Sequence, residues 1–431
     1  MKQAKDFYEI LNVVEFNNPI DETDEFFTDF SRLRKGFNEN QIFRMLNINP
    51  KTKACNPLTT TERAFLSGHR GTGKTTELLK LKNVINQTKC FLTIFCDIGN
   101  EELDINNIDF VDIVIFMIEQ LVQTLDKLNI NVKKEDIESF YNWYEQRIVE
   151  INDKTDASAT IETELSGGIT IPAFFKLITK TKAKLSASQD TKDTIRRVFT
   201  NKFSDFSIKF NEFIASIKIA IKAENISSDL LFIIDGFEKI GTLEDRKKIL
   251  IDNSNKFVEI KSNMIITLPI ELFSQISTLS NFSTPISFPL ITLDTDGETQ
   301  FLDFIYKRIN KSLFDNEDTV KQIIRYGAGS PRETLKIIRE AYMLANDEVI
   351  DLQSVSDAKD KISNEIVNYL TQDEIEVLKE LNSNDTISYS DTLASLLVKK
   401  VLLIYGDGSN KVINPLISEN KTYQKLISQS N

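Results

Sequence analysis

Eight residues constrain this chain more than any others: Gly68-His69-Arg70-Gly71-Thr72-Gly73-Lys74-Thr75. They match G-x-x-x-x-G-K-[ST] at every fixed position. A short apolar run, Ala64–Ser67, precedes them. Helical spacing follows, in Leu78, Leu79, Leu81 and Ile85. Strand, glycine loop, helix is the setting in which backbone N–H groups curl around an anion and a helix dipole points at it. Lys74 would reach the β- and γ-phosphates of a nucleotide. The Thr75 hydroxyl would hold Mg²⁺, and Thr76 would touch the α-phosphate. His69 and Arg70 fill variable positions, and His69 reads as a loop residue or partner contact rather than a catalyst.

A phosphate loop needs an acidic strand end to hold the metal. Leu230-Leu231-Phe232-Ile233-Ile234-Asp235 supplies one, a Walker B pattern of apolar residues closed by a carboxylate. Many ATPases place a glutamate directly after that aspartate to polarise water. Here Gly236 stands there, and the next carboxylate is Glu238, the candidate general base. A further apolar run, Met264–Leu268, places Thr267 where a hydroxyl could meet the γ-phosphate or the water. Ser330-Pro331-Arg332-Glu333 opens a helix: Ser330 as cap, Pro331 at the first position, Glu333 closing a capping box. Arg332 then sits on an exposed first turn, able to point at a phosphate.

The order of elements gives the organisation. Strands at Ala64–Ser67, Cys90–Cys96, Leu230–Ile234, Met264–Leu268 and Ile286–Leu293 alternate with helices such as Val111–Leu128, the pattern of a parallel α/β sheet. Residues 1–58 read as a helical segment and 59–297 as the core, carrying an insertion at 131–228. In that insertion Glu135–Ile151 is helical. Thr160–Ile171 reads as a β-hairpin around Gly167-Gly168, and about Thr191 to Ala223 as one long helix. The stripe Ile195, Phe199, Phe203, Phe206, Phe210, Phe213, Ile217, Ile221 reads as core. Residues 298–370 read as a helical lid. Residues 371–431, two or three short helices and then a hairpin (Val401–Tyr405, Lys411–Ile413), read as a winged helix.

Composition excludes other chemistries. The 431 residues carry 41% hydrophobic and 27% charged side chains, a normal globular mix. No run reaches the ~20 apolar residues of a membrane span, and the first sixteen residues do not read as a secretory signal. A single histidine removes His-dependent triads and multi-histidine metal sites. Cys55, Cys90 and Cys96 form no CxxC pair and suggest no disulfide framework, hence a reduced, cytoplasmic compartment. The net charge of −12 argues against a general nucleic-acid coat. Residues 365–431 hold six lysines against nine acids, with only Lys399, Lys400 and Lys411 near the recognition elements. That balance favours a protein-interaction or autoinhibitory role for the winged helix over DNA binding.

This succession resembles the AAA+ and STAND groups of P-loop ATPases. Gly-Ser-Pro-Arg-Glu-Thr-Leu is similar to the sensor-2 helix of the replication-initiator branch of AAA+. Asp-Gly-Phe-Glu resembles the Walker B of NACHT-type and KAP-type ATPases, but Lys239 stands where NACHT proteins carry an acid, which implies slow hydrolysis. Gly68 to Leu78 with a C-terminal winged helix also resembles bacterial ATPases of anti-phage defence or mobile elements. The resemblance implies a five-stranded parallel core with the Thr267 strand between the two Walker strands. It implies ATP and Mg²⁺ as ligands, a homo-oligomer and a separate effector protein. In AAA+ rings a neighbour supplies an arginine finger; Arg246 and Arg308 are candidates, and neither is assigned. The function expected is an ATP-dependent switch controlling assembly and an effector. The alternatives are a DNA-binding loader or transposition-type regulator, and a nucleotide-binding scaffold without turnover.

Overall fold

A computed structural model of the chain describes residues 2–99, 103–155, 161, 169–276, 282, 285–383, 390–406 and 410–428. Five strands, β1 (Arg63–Ser67), β2 (Phe91–Asp97), β3 (Asp229–Asp235), β4 (Asn263–Leu268) and β5 (Ile286–Ser287), form one parallel sheet in the order β2-β3-β4-β1-β5. β4, which carries Thr267, lies between β1 and β3, the order the resemblance implies. β5 is much shorter than the expected Ile286–Leu293 strand. Phe288 N–H still reaches Ser67 O at 2.6 Å, but the next N–H on that side, Leu290, donates instead to Ile404 O at 3.4 Å.

Both faces of the sheet are covered, which is why its strands are apolar throughout. Leu230, Phe232 and Ile234 face the helix Phe110–Lys127, while Leu231 and Ile233 face the helix Lys74–Gln87. Helices Lys134–Asn152, Ile171–Leu185, Gln189–Asn201 and Phe203–Ala223 extend the first of these cores. The phenylalanine stripe is buried there, Phe199, Phe206, Phe210 and Phe213 included. The expected single long helix is two, parted at Lys202 (φ −114°, ψ 19°), whose N–H returns to Phe199 O at 3.2 Å. Neither glycine nor proline marks the break, and the apolar stripe runs through it on a shared face. Most of the expected 160–171 hairpin lies outside the described residues. Ile171 itself begins a helix capped by Thr170.

A second apolar core joins the lid helices Thr295–Arg308, Glu317–Gly327, Pro331–Leu344 and Leu352–Val367 to the C-terminal region and to Phe7, Ile10 and Val13 near the start of the chain. The C-terminal region runs Gln372–Ser383, Asp391–Val398, then β6 (Leu402–Tyr405) antiparallel to β7 (Asn410–Ile413), then two short helices. Two helices followed by that hairpin make a winged helix. Its second helix, Asp391–Val398, packs against the turn Ile270–Leu272 that follows β4. Among the described residues no helix is long and apolar enough to cross a membrane.

The cysteines overturn one expectation. Cys55 and Cys90 are disulfide-bonded, with Cα atoms 5.4 Å apart, and only Cys96 is free and buried. The Asn47–Pro57 loop folds back onto the start of β2, and no sequence spacing announces that return. The pairing removes the cysteine argument for a reduced, cytoplasmic compartment.

Candidate functional site: the phosphate loop and its cleft

In a parallel sheet the C-terminal strand ends face the ligand crevice. The phosphate loop leaves β1 there, and Asp235 ends β3 beside it. Two glycines make the loop possible. A Cβ on Gly68 would lie 2.1 Å from Phe288 O. Gly71 has φ +91°, and a Cβ there would lie 2.9 Å from that of Arg332.

Lys74 is buried, and its ammonium donates to the carbonyls of Gly68 (2.9 Å) and His69 (3.0 Å). It lies 3.9 Å from the Glu238 carboxylate. The Thr75 hydroxyl donates to Asp235 Oδ2 at 2.5 Å. Burial first, then the charge of Glu238, pushes the Asp235 carboxyl up to about 6, against the pull of Thr75 and Lys74. Burial also pushes Glu238 up, but the charge of Lys74 with the Glu238 backbone N–H and Lys239 outweighs it and leaves this carboxyl below its ordinary value. Asp235 Oδ1 and Glu238 Oε2 are buried without a protein partner. A hydroxyl, an adjacent carboxylate and two orphaned carboxylate oxygens form a hard-oxygen donor set that fits Mg²⁺, which takes one or two protein ligands beside phosphate and water.

The remaining expected residues fall as follows. Thr72 is buried, its hydroxyl donating to His69 O at 3.0 Å. Arg70 is exposed, and Gly71, Gly73, Thr75 and Thr76 line the cleft. Thr267 is fully buried and accepts the Gly236 N–H at 3.0 Å, so its hydroxyl braces the turn after Asp235. Arg332 is half-buried rather than exposed. It lines the cleft, donates its Nε to Phe16 O at 3.0 Å, and packs on Gly71. Ser330 caps its helix and also donates to Gly71 O at 3.1 Å. Glu333 does not close a capping box; its carboxylate pairs with Lys400 of the winged helix.

Arg246 and Arg308 are both buried. Arg246 pairs with Glu271 at 2.8 Å, and Arg308 donates to Phe304 O at 2.9 Å and lies over the Phe304 ring. Neither is turned outward for a neighbouring subunit. Two of the three lysines near the recognition elements of the winged helix are engaged as well, Lys399 with Glu374 and Lys400 with Glu333.

Sequence reading missed Arg34. Its guanidinium, 4% exposed, donates to Thr72 O in the phosphate loop and to Pro289 O at 2.6 Å, and lies 4.1 Å over the Phe288 ring. It lines the cleft together with Phe16, Ile20, Phe30 and Leu335. It stands in Arg32-Leu33-Arg34-Lys35, and nothing in that basic run marks which side chain turns inward.

Sheet order, phosphate loop and acidic strand end define the fold of a P-loop NTPase core with a helical lid and a C-terminal winged helix. No protein-family model matches the chain, and no curated protein matches it. Among solved structures it is similar to the Orc1 protein of Aeropyrum pernix in complex with DNA, at 12% identity and TM-score 0.36, covering 92% of this chain and 88% of that one. It is also similar to Cdc6p from Pyrobaculum aerophilum, at 14% identity and TM-score 0.37, covering 95% and 98%. The fold rests on the strand order and the loop.

Proposed function

We propose that the chain is an ATP-dependent switch that binds MgATP between the sheet and the lid and hydrolyses it slowly. The observation that carries this reading is the Thr75–Asp235 contact beside two orphaned carboxylate oxygens, Asp235 Oδ1 and Glu238 Oε2. Loop N–H groups and Lys74 hold the β- and γ-phosphates. Thr75 and Asp235 hold the metal, which when bound neutralises developing charge on the phosphoryl oxygens. Glu238, kept ionised beside Lys74, accepts the proton of the attacking water at Oε2. Arg332 reaches the γ-phosphate from the lid, and Thr267 keeps the Asp235–Glu238 turn in register. Lid position then sets what the winged helix contacts.

The output has two readings. The paired state of Lys399 and Lys400 supports a protein partner or a self-masking role. The helix–helix–hairpin order supports the second, a DNA-directed loader. That reading requires salt-sensitive DNA binding that is lost when Lys399 and Lys400 are neutralised. The homo-oligomer, the separate effector and the anti-phage role rest on the sequence resemblance alone. The deciding experiment measures ATP turnover and particle mass together, with and without DNA, for the wild type and Lys74→Ala. Turnover unchanged by Lys74→Ala would remove the ATPase reading.

A further inference from the structure

The chain's single histidine sits in the phosphate loop, yet its ring turns away from the phosphate side. His69 is 2% exposed, and its Nε2 accepts the backbone N–H of Ile404, in the first strand of the wing, at 2.9 Å. The wing is fastened around that point. Ile404 O accepts the Leu290 N–H at 3.4 Å, and the Tyr405 hydroxyl donates to Ala328 O at 2.8 Å. Leu290, Ala328 and Leu403 bury one another. A second tie joins Lys400 to Glu333, the neighbour of the cleft-facing Arg332.

On its other side His69 is held by Lys74, which donates to the carbonyls of both Gly68 and His69. An ammonium has three donors and no more. To contact both the β- and the γ-phosphate, Lys74 must give up at least one of those carbonyls; where it is that of His69, the peptide that carries the ring is left held by Thr72 alone and has more freedom to turn.

We propose that His69 is a positioning residue that couples the phosphate loop to the winged helix. Engagement of Lys74 by a nucleoside triphosphate loosens the His69–Ile404 bond and frees the wing. The inference rests on the nucleotide reading above, since it needs a triphosphate in this loop. Linkage makes the coupling reciprocal, so cutting the bond raises triphosphate affinity by the factor by which triphosphate frees the wing.

The test uses the full chain as wild type, His69→Ala, His69→Gln and the double variant Glu333→Met with Lys400→Met. Amide hydrogen exchange of residues 401–406 is measured with and without a non-hydrolysable ATP analogue and Mg²⁺, alongside the analogue's Kd. The analogue should speed exchange at 401–406 about tenfold in the wild type, within the usual range of coupling between sites. His69→Ala should show the fast exchange without nucleotide and bind the analogue about tenfold more tightly. His69→Gln, which keeps an acceptor, should return toward wild type. Should His69→Ala fail to fold, the double variant cuts the second tie without touching the loop and should shift both readouts the same way. Analogue that binds with exchange at 401–406 unchanged or slowed overturns this inference alone. Analogue that does not bind the wild type overturns the nucleotide reading, and this inference with it.

Discussion

The Thr75 hydroxyl and the Asp235 carboxylate meet at 2.5 Å, although 160 residues separate them in the chain. One starts a helix and the other ends a strand, so only the completed sheet brings them together. Asp235→Asn keeps the hydrogen bond but removes the charge that a divalent cation needs. Mg²⁺-dependent tightening of ATP binding should fall by about tenfold or more, the order that 1–2 kcal/mol implies. Calorimetric titration with and without Mg²⁺ checks it.

Glu238→Gln should leave ATP binding intact while turnover drops roughly 100-fold, the lower end for loss of a general base. Steady-state phosphate release beside a binding isotherm separates the two. A variant that turns over like the wild type would favour the scaffold without turnover.

Arg34→Met should destabilise the fold by roughly 2–4 kcal/mol, because two buried carbonyls, Thr72 O and Pro289 O, lose their donor. Thermal unfolding reads the loss. Nucleotide affinity should fall with it, since one of those carbonyls belongs to the phosphate loop.

His69 gives a pH signature. Burial first, then the charges of Lys400 and Lys74, pushes its imidazole down to about 3. The unfolded chain therefore binds the proton more readily than the folded one between that value and the ordinary ~6.5. Stability from this group is fully present above about 6.5 and is lost as the pH falls toward 3. Between pH 7 and pH 5 the wild type should lose roughly 2 kcal/mol more than His69→Gln, read from denaturant unfolding at each pH.

Reduction of Cys55–Cys90 should lower stability. The bond closes a loop across 35 residues, for which chain entropy alone gives about 4 kcal/mol. Unfolding of the wild type with and without reductant, against the paired Cys55→Ser, Cys90→Ser variant, checks it. A reductant effect that persists in the variant would sink the assignment to this bond.

What could be read from the sequence follows from the range of the interaction involved. The loop, the acidic strand and the lid helix opening at Ser330 are written in residues a few positions apart, and local pattern reveals them. β5 ends early because Leu290 donates to Ile404, a partner more than a hundred positions away that no local pattern announces. The helix break at Lys202 leaves no mark either, since the same apolar stripe serves both pieces. Arg34, the Glu333–Lys400 pair and the Cys55–Cys90 bond depend on partners distant in sequence and on side chains common everywhere else. His69 stood out as a loop residue or partner contact, but nothing in its surroundings named the wing of its own chain.

The bond from Ile404 to His69 spans 335 positions. At the usual pace of synthesis, about 5–20 residues per second, roughly 20–70 s pass between the emergence of the two residues from the ribosome. For that interval the nascent chain displays its glycine loop with the histidine ring uncovered. The phosphate loop therefore leaves the ribosome well before the strand that supplies its histidine's donor in the finished fold.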